Sequence, residues 1–149
     1  MPFELVVKNP DHVTVVVTNL TESQNFFGLL GFELKISERI SGDKMSEYLA
    51  IKDMEADHLT MVLKESEPRF EIQLLHFRKP KINSDPEIIN LARPGYNHLC
   101  FRVDNIELSI NHLRKNGVRI RSPILEYLNR KLVYIEGPEF ITVELSEWL

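Results

Sequence analysis

The sequence predicts an α+β fold built from two tandem βαβββ modules, and three observations predict it. The chain contains a weak copy of itself. Laying His12 on His98, an offset of 86, sets HVTVVVTNLTESQNFFGLLGFEL over HLCFRVDNIELSINHLRKNGVRI without a gap, and six of the 23 positions are identical. These are His12/His98, Val17/Val103, Asn19/Asn105, Ser23/Ser109, Asn25/Asn111 and Gly31/Gly117. Within each copy a β-branched or apolar strand runs into an amphipathic helix that a glycine closes. After each copy come several short strand-like segments. A repeat of this length is one supersecondary unit, and duplication of such a unit constrains the fold more tightly than local propensity does.

Residues 12–18, HVTVVVT, are short and β-branched, as a strand requires. Thr21 and Gln24 are spaced as a capping box, Leu20, Phe26, Phe27 and Leu30 supply an apolar stripe, and Gly31 stands where a C-terminal cap belongs. Strands are then predicted over 32–38, 47–52, 59–64 and 70–77, one more than the module needs. Residues 78–95, RKPKINSDPEIINLARPG, hold three prolines and read as a connector. The second module opens with the strand HLCFRVD. Its helix is predicted from about Ile106 to Asn116, with Asp104 and Glu107 as a capping box and Gly117 as its end. Strands over 118–121, near Leu125, over 131–136 and over 141–146 complete it. The expected organisation is a single domain over 1–149, with module 1 at about 11–77 and module 2 at about 96–149.

Composition narrows the function classes. The chain is 27% charged and 43% hydrophobic, typical of an ordinary globular protein. A net charge of -4 without a Lys/Arg cluster argues against nucleic acid or an anionic membrane as partner. The single cysteine, Cys100, rules out an internal disulfide and reads as a small buried residue. No run approaches the roughly 18 apolar residues of a membrane span. The N-terminus lacks the basic start and cleavage site of a signal peptide, so a cytoplasmic location is expected.

Alternation along the strands separates two faces. Val13, Val15 and Val17 must meet the helices, which leaves His12, Thr14 and Val16 on the opposite face. Leu99, Phe101 and Val103 likewise oppose His98, Cys100 and Arg102. The last strands repeat the pattern at an offset of 71, with Gln73 matching Glu144. The pseudo-symmetry therefore yields His12/His98 and Gln73/Glu144, two imidazoles, an amide and a carboxylate, a donor set suited to a divalent cation. Each residue has a structural alternative. A strand histidine can be a hydrogen-bonded core residue, Glu144 can pair with Arg102 or Lys131, and Glu71 shares the face of Gln73 and carries more charge. Recurrence of the histidine at both module starts favours ligation. His58, His76 and His112 have no repeat partner and read as surface or packing residues. Arg39, Lys44, Arg102 and Arg130 are cations able to meet an anionic substrate or to stand solvated.

The segments DHVTVVVTNLTESQNFFGLLGFEL, FEIQLLHF, NHLCFRVDNIELSINHLRKNGV and VYIEGPEFITVEL resemble the four signature segments of the vicinal oxygen chelate superfamily. That superfamily includes glyoxalase I, methylmalonyl-CoA epimerase, fosfomycin-resistance proteins, extradiol dioxygenases and bleomycin-resistance proteins. The resemblance spans Asp11 to Leu145. It implies a cupped mixed sheet around a central pocket, with one divalent ion (Zn, Ni, Co, Mn or Fe) held by His12, Gln73, His98 and Glu144. The order His, Gln, His, Glu is that of the epimerases, and Glu47 in SEYLAI lies near their catalytic glutamate. The GPEFITVEL segment is closer to a broad group of glyoxalase-like proteins.

The activity implied is a metal-dependent lyase, isomerase or epimerase. Glu144 and Glu47 would move a proton beside a bound carbonyl, with a thioester or thiol adduct as small-molecule substrate. The family further implies a homodimer. Two other classes compete: an extradiol-type ring-cleaving dioxygenase using His12, His98 and Glu144 around iron, and a non-catalytic drug-binding protein of the bleomycin-resistance type.

Overall fold

The computed structural model describes residues 1–149, which divide into two compact units, Met1–Ile82 and Asn83–Leu149. The first unit runs β1 (His12–Val16), α1 (Leu20–Leu29), β2 (Phe32–Ser41), α2 (Asp43–Leu49), β3 (Glu55–Leu63) and β4 (Glu71–Lys79). The second opens with a 3₁₀ turn at Pro86–Ile89. It continues through β5 (His98–Arg102), α3 (Ile106–Lys115), β6 (Leu125–Tyr127), β7 (Arg130–Glu136), a 3₁₀ turn at Pro138–Phe140 and β8 (Thr142–Trp148). Each unit folds into one four-stranded mixed sheet, in the orders β1-β4-β3-β2 and β5-β8-β7-β6. In both, the first strand pairs parallel with the last and the remaining pairings are antiparallel.

The repeat identities explain why the two starts fold alike. Asn19 caps α1, its side-chain oxygen accepting from the Glu22 amide at 3.0 Å, and Asn105 caps α3 by accepting from the Leu108 amide at 2.9 Å. These asparagines, not the Thr21/Gln24 and Asp104/Glu107 boxes expected from sequence, satisfy the free amides of the first turn. Ser23 and Ser109 donate back to the carbonyls of Asn19 and Asn105 at 2.7 and 2.6 Å. Gly31 and Gly117 take φ of 97° and 83°, a left-handed backbone that a side chain would strain. The Val17 and Val103 amides donate to Leu75 and Ser146 at 2.9 and 2.8 Å, extending the same parallel ladder in both units.

Burial follows the expected faces. In the first unit Val17, Met61, Ile72 and Leu74 are buried together with Phe27 of α1, and Phe27 meets Phe26 and Phe32 edge to face. In the second, Ile106, Ile110 and Leu113 form one stripe of α3 over Val133, Ile135, Val143 and Leu145. Each such side chain contributes about 1.5–3 kcal/mol by leaving water.

Three expectations need correction. The strand predicted over 47–52 is replaced by α2, because Met45 and Leu49, four apart, pack with Ile51 against Met54, Ala56 and Leu75 on the sheet. Ala50, at φ 56°, ends that helix. Residues 118–121 make only an isolated bridge, Ile120 to Ile135. Cys100 is exposed rather than buried, since no helix covers its side of β5.

Candidate metal centre and adjoining cavity

The strand registers give the equivalent positions in the two ladders. His12 lies opposite Glu71 and Thr14 opposite Gln73 in the first unit; His98 lies opposite Thr142 and Cys100 opposite Glu144 in the second. Offsets of 86 on the first strands and 71 on the last therefore superpose the two ladders residue for residue. His12 with Gln73, and His98 with Glu144, stand on the face turned away from α1 and α3.

The first unit's residues are already knitted together. His12 Nδ1 is 2.5 Å from Asp11 Oδ2. The Gln73 amide donates to Glu71 Oε1 at 3.1 Å, and its oxygen lies 3.0 Å from His58 Nε2. Arg69 Nε donates to the other Glu71 oxygen at 2.9 Å. Asp11, His12 and Glu71 each offer a donor atom within 4.8 Å of the others. The sequence reading missed both Asp11 and the contact of His58 with Gln73. Adjacency to His12 marked Asp11, and the even spacing of His58 and Thr60 on β3 was the available signal for His58.

Glu47 sits exposed on α2. Two residues from both Met45 and Leu49, it points about 180° from the stripe that packs on the sheet. Arg39 and Arg78 each bond Asp57 at 3.0 Å, and Arg39 also bonds Glu55, so Arg39 is a paired structural charge. Burial pushes the Asp57 carboxyl up, but hydrogen bonds from Arg78, Arg39 and His76 outweigh it and hold the group below its ordinary value.

The second unit's pair is drier and simpler. His98 Nε2 lies 3.5 Å from Glu144 Oε1, with side-chain exposures of 28% and 13%. His98 Nδ1 lies 2.7 Å from Asn97 Oδ1, which leaves Nε2 turned to the carboxylate, and the ring meets Tyr134 edge to face. Two ligands each about 2.1 Å from one ion, at right to tetrahedral angles, lie roughly 3.0–3.4 Å apart. The separation of His98 and Glu144 is thus close to what a shared cation needs. Glu144 pairs with neither Arg102 nor Lys131, and Lys131 instead bonds Glu107 at 2.8 Å.

A cavity of about 440 Å³ opens beside Glu144, walled by Pro123, Leu125, Tyr127, Leu132 and Tyr134. Burial, the Glu144 charge and the nearby Cys100 together raise the Tyr134 phenol above its usual range. Although Cys100 is exposed, neighbouring side chains partly desolvate its sulfur, and this with a hydrogen bond to Glu144 pushes the thiol up to about 12, so it remains neutral at pH 7 and is a poor nucleophile.

A corner at Gly137–Phe140 feeds β8 in register. The Gly137 amide donates to Ile141 at 2.9 Å, and Glu139 and Phe140 both take left-handed φ. A Cβ on Gly137 would stand 2.7 Å from Ile141 Cγ1. Arg121 reaches over the corner, donating to Thr142 Oγ1 at 2.9 Å and to Glu136 at 2.8 Å. That contact accounts for a buried threonine at the position Glu71 occupies in the other unit.

The family model for the Glyoxalase/Bleomycin resistance protein/Dioxygenase superfamily matches residues 11–132. The chain belongs to that superfamily, the vicinal oxygen chelate proteins. Its fold is similar to a glyoxalase family protein from Bacillus cereus at TM-score 0.87, with 24% identity over 100% of this chain and 99% of the other. The fosfomycin resistance protein FosX of Listeria monocytogenes, solved with Mn(II) and sulfate, is similar at TM-score 0.62 and 15% identity, over 97% and 95% of the two chains. TnmS3, an antibiotic binding protein from a Streptomyces species, is similar at TM-score 0.62 and 15% identity, over 98% and 100%. Superfamily membership thus spans metalloenzymes and binding proteins on one scaffold.

Proposed function

We propose that this chain is a divalent-metal-dependent enzyme of the glyoxalase type, a lyase, isomerase or epimerase that moves a proton on the carbon beside a carbonyl. The observation that carries the proposal is the His98–Glu144 pair, 3.5 Å apart, whose carboxylate lines a mostly apolar cavity. In this reading His12 and Gln73 supply one pair of donors, and His98 and Glu144 the other. Gln73 is preferred to Glu71 because it occupies the register position of Glu144. The Mn(II)-bound FosX supports a cation on this scaffold, while the residues here admit zinc, nickel, cobalt, manganese or iron.

A bound ion would act as a Lewis acid toward a carbonyl, stabilising negative charge as it develops. The chain's own groups do the rest. Glu144 takes and returns the proton, its carboxylate standing against the cavity wall. Tyr134, held as a neutral phenol, can donate a hydrogen bond to a substrate oxygen. The apolar wall of Leu125, Leu132 and Pro123 keeps water from competing. Glu47, facing away from its sheet, is given no role. A small thioester or thiol adduct as substrate, a homodimer and a cytoplasmic setting complete the proposal; no helix is long and apolar enough to cross a membrane.

The test is metal content of untagged protein purified without chelator, followed by exchange of α-protons with solvent deuterium over a panel of thioesters and hemithioacetals. Stoichiometric metal with exchange is the expected result. Oxygen uptake with a catechol by iron-loaded protein would replace the reading with ring cleavage. Tight binding of an antibiotic with neither metal nor exchange would replace it with sequestration.

A further inference from the structure

On the same face of the second sheet, beside the cavity, stands a group that the proposed proton transfer does not use. The Arg102 guanidinium carbon lies 3.8 Å from the centre of the Trp148 ring, and that of Arg130 lies 4.9 Å from it. Neither guanidinium has a carboxylate within 4.0 Å, although the chain carries 22 acidic residues. Attraction to the indole ring does not consume the N–H donors of either guanidinium, which are left without an anionic acceptor. Strand register ties both to the cavity. Arg130 is opposite Tyr127, and Arg102 is opposite Ser146, which is in turn opposite Leu132; Tyr127 and Leu132 both line the cavity.

The second observation is Ser146 itself. It is 3% exposed, it shares the face of Glu144, and its hydroxyl is buried with no hydrogen-bond partner. A buried hydroxyl left unpaired is costly, and such orphans call for an explanation. Here two cations without a carboxylate partner and an unpaired hydroxyl stand on two neighbouring rows of one sheet face, Arg102 with Ser146 and Arg130 with Trp148, beside an otherwise apolar cavity.

We propose that Arg102, Arg130 and Ser146, gathered around Trp148, form a recognition subsite for a carboxylate on a substrate whose apolar part fills the Glu144 cavity. The guanidinium forks match a planar carboxylate, and apolar walls favour an amphiphilic acid over a small polar one. The inference rests on the reading that this cavity is where substrate binds, and it narrows that substrate to an acid. It does not rest on the metal.

Trp148 is the only tryptophan in the chain, so its fluorescence reports the subsite directly. Full-length protein, stripped of metal and dialysed free of chelator, is titrated with phenylacetate and with its neutral isostere phenylacetamide, and calorimetry gives an independent affinity. Phenylacetate is expected to bind saturably, at least about tenfold more tightly than phenylacetamide, the worth of one charge-assisted contact. That affinity falls as salt rises. R102Q and R130Q each weaken phenylacetate about tenfold and leave phenylacetamide unchanged, and R130K retains part of the affinity. Equal binding of acid and amide, no binding of either, or full affinity in a folded R102Q/R130Q double variant overturns the subsite. So does phenylacetate binding that appears only after Mn(II) is added, which makes the acid a ligand of the ion. Loss of metal binding with the acid selectivity intact would instead sink the proposed enzyme and leave this subsite standing.

Discussion

The two units share a ladder and differ in what they hang on it. In the first, His12 is solvent-facing and tied to Asp11, and Gln73 spends both ends of its amide on His58 and Glu71. In the second, the equivalent imidazole and carboxylate lie close together, largely screened from water, with a cavity beside them. The Asn caps, the Ser back-bonds and the closing glycines are the same in both. Duplication thus preserved what the backbone needs and let the opposite face diverge, one copy toward a self-satisfied polar net and the other toward an open acid. An imidazole retained in both copies has no part in the capping that explains the other identities, and this sets it apart.

The largest predicted asymmetry is in metal binding. Removing a second-unit donor, by E144A or H98A, is expected to weaken the cation by more than the roughly 10–100-fold typical of an outer-shell partner. Q73A is expected to cost about tenfold, because a neutral amide contributes less than a carboxylate, and E71Q less still. Titration with a competing chromophoric chelator measures all four. If E71Q exceeds Q73A, Glu71 is the ligand of the first unit.

Cys100 gives the next contrast, since it is exposed yet held as a thiol. Alkylation by iodoacetamide at pH 8 should run roughly tenfold or more slower than for a model thiol, because the thiolate is scarce when the group titrates near 12. E144Q removes the neighbouring charge and should speed it. A rate equal to that of the free thiol would show that Glu144 does not reach it.

The caps test the shared part of the comparison. N19A and N105A are each expected to lose about 1 kcal/mol in denaturant unfolding, with similar losses in the two units. A much larger loss in one would mean that its asparagine does more than cap.

The smallest effect is on pH dependence. A carboxyl whose folded value is depressed stabilises the native state above its unfolded value near 3.8, and loses that contribution as pH falls through the lower folded value. D57N should therefore flatten the acid limb of the stability curve. Hydrogen exchange resolved by peptide should confine the change to residues 1–82. An unchanged acid limb would mean that the Arg39 and Arg78 contacts are lost to solvent.

The periodic part of the fold was legible because it is written redundantly. The repeat set both first strands, both helices and the register of β4 and β8, which in turn put Gln73 and Glu144 on the face of the histidines. Legibility failed where a local pattern had two readings. SEYLAI alternates well enough for a strand, and only the i, i+4 pair of Met45 and Leu49, packed on Ala56 and Leu75, makes it a helix. Thr21/Gln24 matched a capping pattern two residues too late, since Asn19 already held the cap. Cys100 looked like a buried residue, although burial on that side depends on what covers the sheet. The pairing of His58 with Gln73 spans 15 residues and follows only from the β3–β4 register, which no short motif records.

The corner at Gly137–Phe140 works as a vernier for the strand that follows it. Side chains on β8 alternate, so adding or deleting one residue in that corner would bring Val143 or Leu145 round to where Glu144 now faces and turn the acid toward α3. The segment is accordingly intolerant of length, and at Gly137, where a Cβ would meet Ile141, of a larger residue as well. Homologues that hold the length of this bend would keep the residue at the Glu144 position on the same side of the sheet.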